Sequence, residues 1–218
     1  MKEGVLSNWD FRDADEPALI FGDVRQAPYI KDDSAEALKE KEGITSIWQY
    51  FGKFLEFGRD KEKFKQLLKD AGVNAGNVGR ATDAVSNRML NLGFVVKVPL
   101  PDNLKASTRI NDTQMAMFLK FKLTRTDLED DFRGLGENTA KELAKAGITN
   151  SDQLFAKLLS FCGEPKYIQP ETKAQAMYEW MQNDVGITGG WIPTIIDQLV
   201  AKLGVGIDSG IDKDPKTE

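Results

Sequence analysis

Two stretches of this chain repeat each other. Gln49-Tyr50-Phe51-Gly52-Lys53-Phe54-Leu55-Glu56-Phe57 lines up with Gln153-Leu154-Phe155-Ala156-Lys157-Leu158-Leu159-Ser160-Phe161, 104 positions later. Gly43-Ile44-Thr45 lines up with Gly147-Ile148-Thr149 at the same spacing. Further on, Phe64 to Val73 corresponds to Met177 to Ile187, displaced by extra residues at 162–175. Shared glycines and aromatics at matching positions weigh against chance similarity of two amphipathic helices. Only two units are present, so the pattern predicts two copies of a small domain and not a many-unit solenoid.

Both copies read as helical. In the first, Ala35 and Leu38 precede a glycine stop at Gly43, and Thr45 or Ser46 caps a helix whose Ile47, Phe51, Phe54 and Leu55 share a face. A third helix opens at Asp60 with Phe64, Leu67 and Leu68 inward, and a last one from Asn77 to Leu92 carries Val78, Ala81, Val85, Met89 and Leu90. In the second copy Asp112 is the expected N-cap of a helix with Met115, Phe118 and Leu119. Thr149-Asn150-Ser151-Asp152 opens the next, Lys173 to Asn183 follows, and Trp191 to Leu203 closes the set. Between the copies, Val95-Val96-Lys97-Val98-Pro99-Leu100-Pro101 is β-branched and broken by proline, so extended. The expected organisation is an acidic arm over 1–27, a first copy over 28–93, a linker over 94–111, a second copy over 112–205 and a disordered tail over 206–218. The expected class is all-α.

Composition narrows function mainly by what is missing. The chain contains no histidine, which removes the usual base near neutral pH, Ser/Cys–His pairs and most zinc sites. Nothing arranges carboxylates or lysines into a recognisable alternative, so an enzyme is not expected, and neither is a cofactor or a metal. The single cysteine, Cys162, follows Leu158, Leu159 and Phe161 and reads as a buried inert thiol suited to a reducing, intracellular compartment. No apolar run is long enough for a membrane span and no secretory signal is visible at the start. Net charge is −5. Residues 1–27 carry −3 of it and residues 206–218 carry −2, so the middle is near neutral. Asp208, Asp212 and Asp214 lack calcium-loop spacing and are expected to be solvated.

The stretch where function would sit is Phe132-Arg133-Gly134-Leu135-Gly136-Glu137-Asn138-Thr139-Ala140-Lys141-Glu142-Leu143-Ala144-Lys145-Ala146-Gly147-Ile148. Two glycines around one leucine suit a tight hairpin with the leucine turned into a core. Asn138 or Thr139 can cap the helix that follows, Ala140, Leu143 and Ala144 give it an apolar stripe, and Gly147 ends it. Backbone N–H groups at such a turn, aligned with a helix N-terminus, can hold an anion. An ordinary glycine turn between two core helices is the alternative. Opposite this hairpin the first copy has Tyr29-Ile30-Lys31 followed by Asp32-Asp33. The missing glycines disfavour the tight turn there, the aspartates would repel a phosphate, and this first hairpin reads as a structural remnant.

Hairpin, following helices and spacing together resemble the barrier-to-autointegration factor family. The resemblance rests on Phe132 to Ile148, Phe155 to Phe161, Tyr178-Glu179-Trp180-Met181 and the glycine break after it, with Gly52 to Leu55 and Phe64 to Asp70 in the first copy. It implies small helical bundles of helix-hairpin-helix type, packed here as a pseudo-dimer within one chain. It also implies sequence-independent binding of double-stranded DNA through Gly134, Leu135, Gly136 and the helix start at Glu137, Asn138 and Thr139. Lys141 and Lys145 would flank the phosphate path with Arg133 beside it. The nucleus is the compartment such binding implies. Asp127, Glu129, Asp130 and Asp131 before the hairpin oppose a polyanion. They keep a second expectation open: a protein-interaction or assembly module that kept the scaffold and gave up DNA, with self-association through helical faces.

Overall fold

The computed structural model describes residues 23–93, 100–105, 110–163, 170–187 and 190–212, and these are all-helical apart from two isolated β-bridges. The expected arm therefore lies outside the described residues up to position 22, as do 94–99 and 106–109 of the linker and the last six residues. A 3₁₀ turn at Val24–Gln26 leads into α1 (Asp32–Glu42), α2 (Ile47–Glu56), α3 (Lys61–Asp70) and α4 (Ala75–Asn87), whose last turn widens into a π-turn at Arg88–Leu92. The connection contains a short α5 (Asp102–Lys105). The second half comprises α6 (Asp112–Lys120), α7 (Leu128–Asp131), α8 (Glu137–Lys145), α9 (Ser151–Gly163), α10 (Pro170–Glu179, continued by a π-turn at Trp180–Asp184) and α11 (Ile192–Val205).

Local sequence explains most boundaries. Ser46 caps α2 and exchanges hydrogen bonds with Gln49 in a capping box. Asp60 and Asn74 cap α3 and α4, and Asn111, one residue before the expected Asp112, caps α6 with Gln114. Gly43 and Gly147 end α1 and α8 in left-handed conformation. The repeat persists at atomic detail. The Thr45 N–H donates to Gln49 Oε1 at 2.8 Å, and the Thr149 N–H donates to Gln153 Oε1 at 2.7 Å. Lys53 Nζ lies 5.3 Å above the Phe57 ring, and Lys157 Nζ lies 4.9 Å above Phe161. The stretch from Met177 to Ile187 is one residue longer than its counterpart from Phe64 to Val73. The π-turn at Trp180–Asp184 absorbs that residue, so Met177 and Met181 are fully buried, like Phe64 and Leu68.

Packing joins the halves into one continuous core. The most extensive contact between elements is α2 against α9, the two repeated helices. They approach closely where side chains are small: a Cβ on Gly52 would lie 3.4 Å from the carbonyl oxygen of its repeat partner Ala156. This close packing explains why α2 is apolar nearly all round. One side faces its own bundle and the other faces α9, so Trp48, Tyr50 and Gly52 are buried along with the expected Ile47, Phe51, Phe54 and Leu55. Each of those aromatic side chains contributes roughly 1.5–3 kcal/mol of burial. The ends of α4 and α11 also meet. Gly93 and Gly206 are both at positive φ, and a Cβ on Gly93 would lie 2.4 Å from the Gly206 nitrogen, so no larger residue fits.

Two expectations about the chain's ends are corrected. Residues 23–27, placed in the arm, belong to the first bundle, with Val24 and Ala27 buried. Residues 206–212, placed in the disordered tail, are ordered by packing. The Ile207 and Asp208 N–H groups donate to the carbonyls of Met89 and Leu90, Ile207 is buried, and Ile211 bridges to Phe121. Asp208 is not free in solvent: it takes an ion pair from Arg59 at 2.6 Å, and Asp212 takes one from Lys122 at 3.1 Å. Arg59 also pairs with buried Asp152, which ties the α2–α3 turn of the first half to the start of α9 in the second. Among the described residues no helix is long and apolar enough to cross a membrane.

Candidate anion-binding hairpin

The approach to the hairpin is fixed from behind. Asp131 is buried and accepts hydrogen bonds from Thr124 Oγ1 at 2.9 Å and the Arg125 N–H at 3.0 Å. Its charge is therefore spent inside the fold, whereas Asp127, Glu129 and Asp130 stay exposed. Phe132 is buried between the rings of Phe118 and Phe155, each 6.0 Å away, which anchors the turn to α6 and α9. The Leu135 N–H then donates to the Phe132 carbonyl at 3.2 Å and its side chain enters the core at 2% exposure. Gly134 takes φ +88°.

Gln198 of α11 and Trp191, the N-cap of that helix, brace this turn, and neither was legible as a site residue. Gln198 is fully buried. Its Oε1 accepts the Arg133 N–H at 2.9 Å and its Nε2 donates to the Arg133 carbonyl at 2.9 Å, holding both backbone polar groups of that residue. Trp191 packs against Gly134, so closely that a Cβ there would sit 2.3 Å from the indole ring. Both lie far along the chain, and only their seven-residue separation, two helical turns on one face, could have hinted at a shared target. At the repeat-equivalent positions of α4 the first half has Asn77 and Ala84, which cannot brace a turn this way.

Beyond the turn, α8 starts at Gly136, which acts as N-cap without any side-chain cap. This corrects the expectation that Asn138 or Thr139 caps it. Both lie inside the first turn with Glu137. A helix leaves its first N–H groups without intrahelical partners, so the N–H groups beginning at Glu137 point out of the α8 N-terminus where the macrodipole is positive. Space is open at Gly136: a Cβ there would touch nothing within 4 Å. Lys141 and Lys145 are exposed on α8, but each pairs within the helix, Lys141 with Glu137 and Lys145 with Glu142 at 2.7 Å. Arg133 is exposed at the mouth. The rim thus mixes three cations with Glu129, Asp130, Glu137 and Glu142 and presents no strong positive field.

The first-half turn has the same shape. Tyr29 adopts φ +67°, Ile30 is buried like Leu135, and Lys31 is the N-cap of α1 with φ −96°, ψ 175°, against −91° and 175° for Gly136. The Ile30 N–H donates to the Ala27 carbonyl at 3.3 Å, as Leu135 does to Phe132. The turn that absent glycines were expected to disfavour therefore forms, with Tyr29 at positive φ. What differs is charge: Asp32 and Asp33 fill the first turn of α1, and Arg25 pairs with Asp23 and Asp32.

Elsewhere the chemistry is quiet. Burial pushes the Cys162 thiol up to about 12, so it stays protonated. Among the described residues no group of three potential metal ligands gathers. Compared with known proteins, no family model matches this chain, and no curated protein or solved structure is similar to it.

Proposed function

We propose that this chain is a non-enzymatic protein of barrier-to-autointegration factor type, its two halves forming a pseudo-dimer, which contacts duplex DNA through the second-half hairpin without reading sequence. The observation that carries this reading is the uncapped start of α8 at Gly136, held in place by Gln198 and Trp191 and open to solvent. A built turn that aims N–H groups outward suits a phosphate, and Arg133, Lys141 and Lys145 line the direction along which a backbone would run. The helix-on-helix contact of α2 with α9 supports the pseudo-dimer.

Titration of the chain with duplex DNA at rising salt tests it. Few phosphates are engaged, so affinity is expected to be weak and measurable at low salt, with a log–log slope of about −2 and little dependence on sequence. Gly136→Glu fits the open space, fills the anion position with a carboxylate, and should remove binding while leaving thermal unfolding near that of the parent.

A second reading, an assembly module without nucleic acid, draws on the pairing of Lys141 with Glu137 and Lys145 with Glu142. No affinity for duplex at low salt, or no loss in Gly136→Glu, decides for it.

A further inference from the structure

A groove of about 270 Å³ lies between α1 and α3 of the first half. Ala37, Leu38, Phe57 and Leu67 are its apolar lining. Two lysines line it. Lys41 Nζ donates to the Asp70 carbonyl at 2.7 Å, and Lys63 Nζ is 3.9 Å from Asp60. The carboxylates of the lining are already engaged, Glu42 by Lys53 at 3.0 Å and Asp70 by Gln66 at 2.8 Å. The groove therefore asks for an apolar segment with acid at one end.

The chain carries such a segment within reach. The Val24 N–H donates to the Thr45 carbonyl at 3.0 Å, and Asp23 bridges to Ser46. That fixes where the preceding residues leave the first bundle. Thr45 is four residues from Lys41 on the rim, at most roughly 14 Å along the chain. Leu19-Ile20-Phe21 lies two to four residues before Asp23, an extended reach of roughly 7–14 Å. Asp15 and Glu16 precede it by three or four residues.

We propose that this groove is the seat of the chain's own Leu19, Ile20 and Phe21, with Asp15 and Glu16 set against Lys41 and Lys63. Apolar burial supplies the attraction and the ion pairs set the direction.

Hydrogen exchange on the full chain tests this. The amides of residues 19–21 are expected to exchange about tenfold or more slowly than unstructured chain. Ala37→Glu, in the apolar lining, should return them to the unstructured rate while α2 and α9 keep their protection. Ile20→Asp should do the same and shift the methyl resonances of Leu67. Unstructured rates at 19–21 in the parent, protection that survives Ala37→Glu, or an unmoved Leu67 signal in Ile20→Asp overturns the proposal. So does protection that falls on dilution, since a second copy would then be the occupant. Should Ala37→Glu unfold the bundle, Ile20→Asp decides alone.

Discussion

The two hairpins, Tyr29-Ile30-Lys31 and Gly134-Leu135-Gly136, reach one backbone shape from different residues. Each places a residue at positive φ, buries the next, and starts a helix on the third without a side-chain cap. In the first half an aromatic residue holds the left-handed conformation, which costs roughly 1–2 kcal/mol that glycine would not. The bundle enforces the turn through Ala27, Ile30 and the helix behind them. In the second half the glycine has a further reason: Trp191 occupies the space where a side chain would be. The comparison teaches that the turn belongs to the fold, whereas glycine at position 134 belongs to what packs outside it.

The largest expected effect breaks this contrast directly. Gly134→Ala drives a methyl into the Trp191 ring while holding φ at +88°. Strain and overpacking together should cost about 2–4 kcal/mol in denaturant unfolding. A cost near that of an ordinary surface substitution would mean that Trp191 does not sit on the turn. A smaller effect sharpens the first-half side. Tyr29→Gly and Tyr29→Ala both remove the ring, so their difference isolates the backbone. The glycine variant should be the more stable by about 1 kcal/mol, read from urea midpoints, the reverse of their order within a helix.

The smallest effect separates another repeated pair. Arg88 and Lys202 occupy equivalent positions near the ends of α4 and α11, and both are buried. Lys202 Nζ donates to the carbonyls of Phe121 at 2.9 Å and Ser209 at 2.7 Å, fastening residues 206–211 against the end of α6. Burial lowers its pKa to about 8 against the opposing pull of Asp208 and Asp131. Between about pH 8 and the ordinary lysine range near 10.4 the unfolded chain holds this proton and the folded chain does not. Stability should therefore rise with pH across that window relative to Lys202→Met, and urea unfolding at pH 7.5, 8.5 and 9.5 measures it. A difference between parent and Lys202→Met that stays flat with pH would place the lysine in a wetter site.

Much of the scaffold was written locally. The glycine stops at Gly43 and Gly147, the Ser46 cap of α2 and the inward Leu135 all follow from nearest-neighbour chemistry, so the sequence predicts them in place. The sequence understated α2, where one apolar face was visible and a second was not, because the second exists only when α9 arrives. It misjudged residues 206–212, whose Gly and Asp content looks like solvated tail. Their order comes from backbone bonds to Met89 and Leu90 and from Arg59 and Lys202, all distant in sequence. The hairpin was visible as a motif, but its braces at Trp191 and Gln198 were not.

Sequence alone determined the all-α class, most of the longer helices and the lack of histidine chemistry, since each depends on residues within a few positions of one another or on composition. Tertiary structure alone decided that Tyr29 turns like a glycine, that Asp131 is spent inside while Glu129 and Asp130 stay in water, and that α11 holds the α8 start open. Those outcomes depend on which surfaces meet, and burial, not local preference, sets the energy when more than one backbone or protonation state is open to a residue.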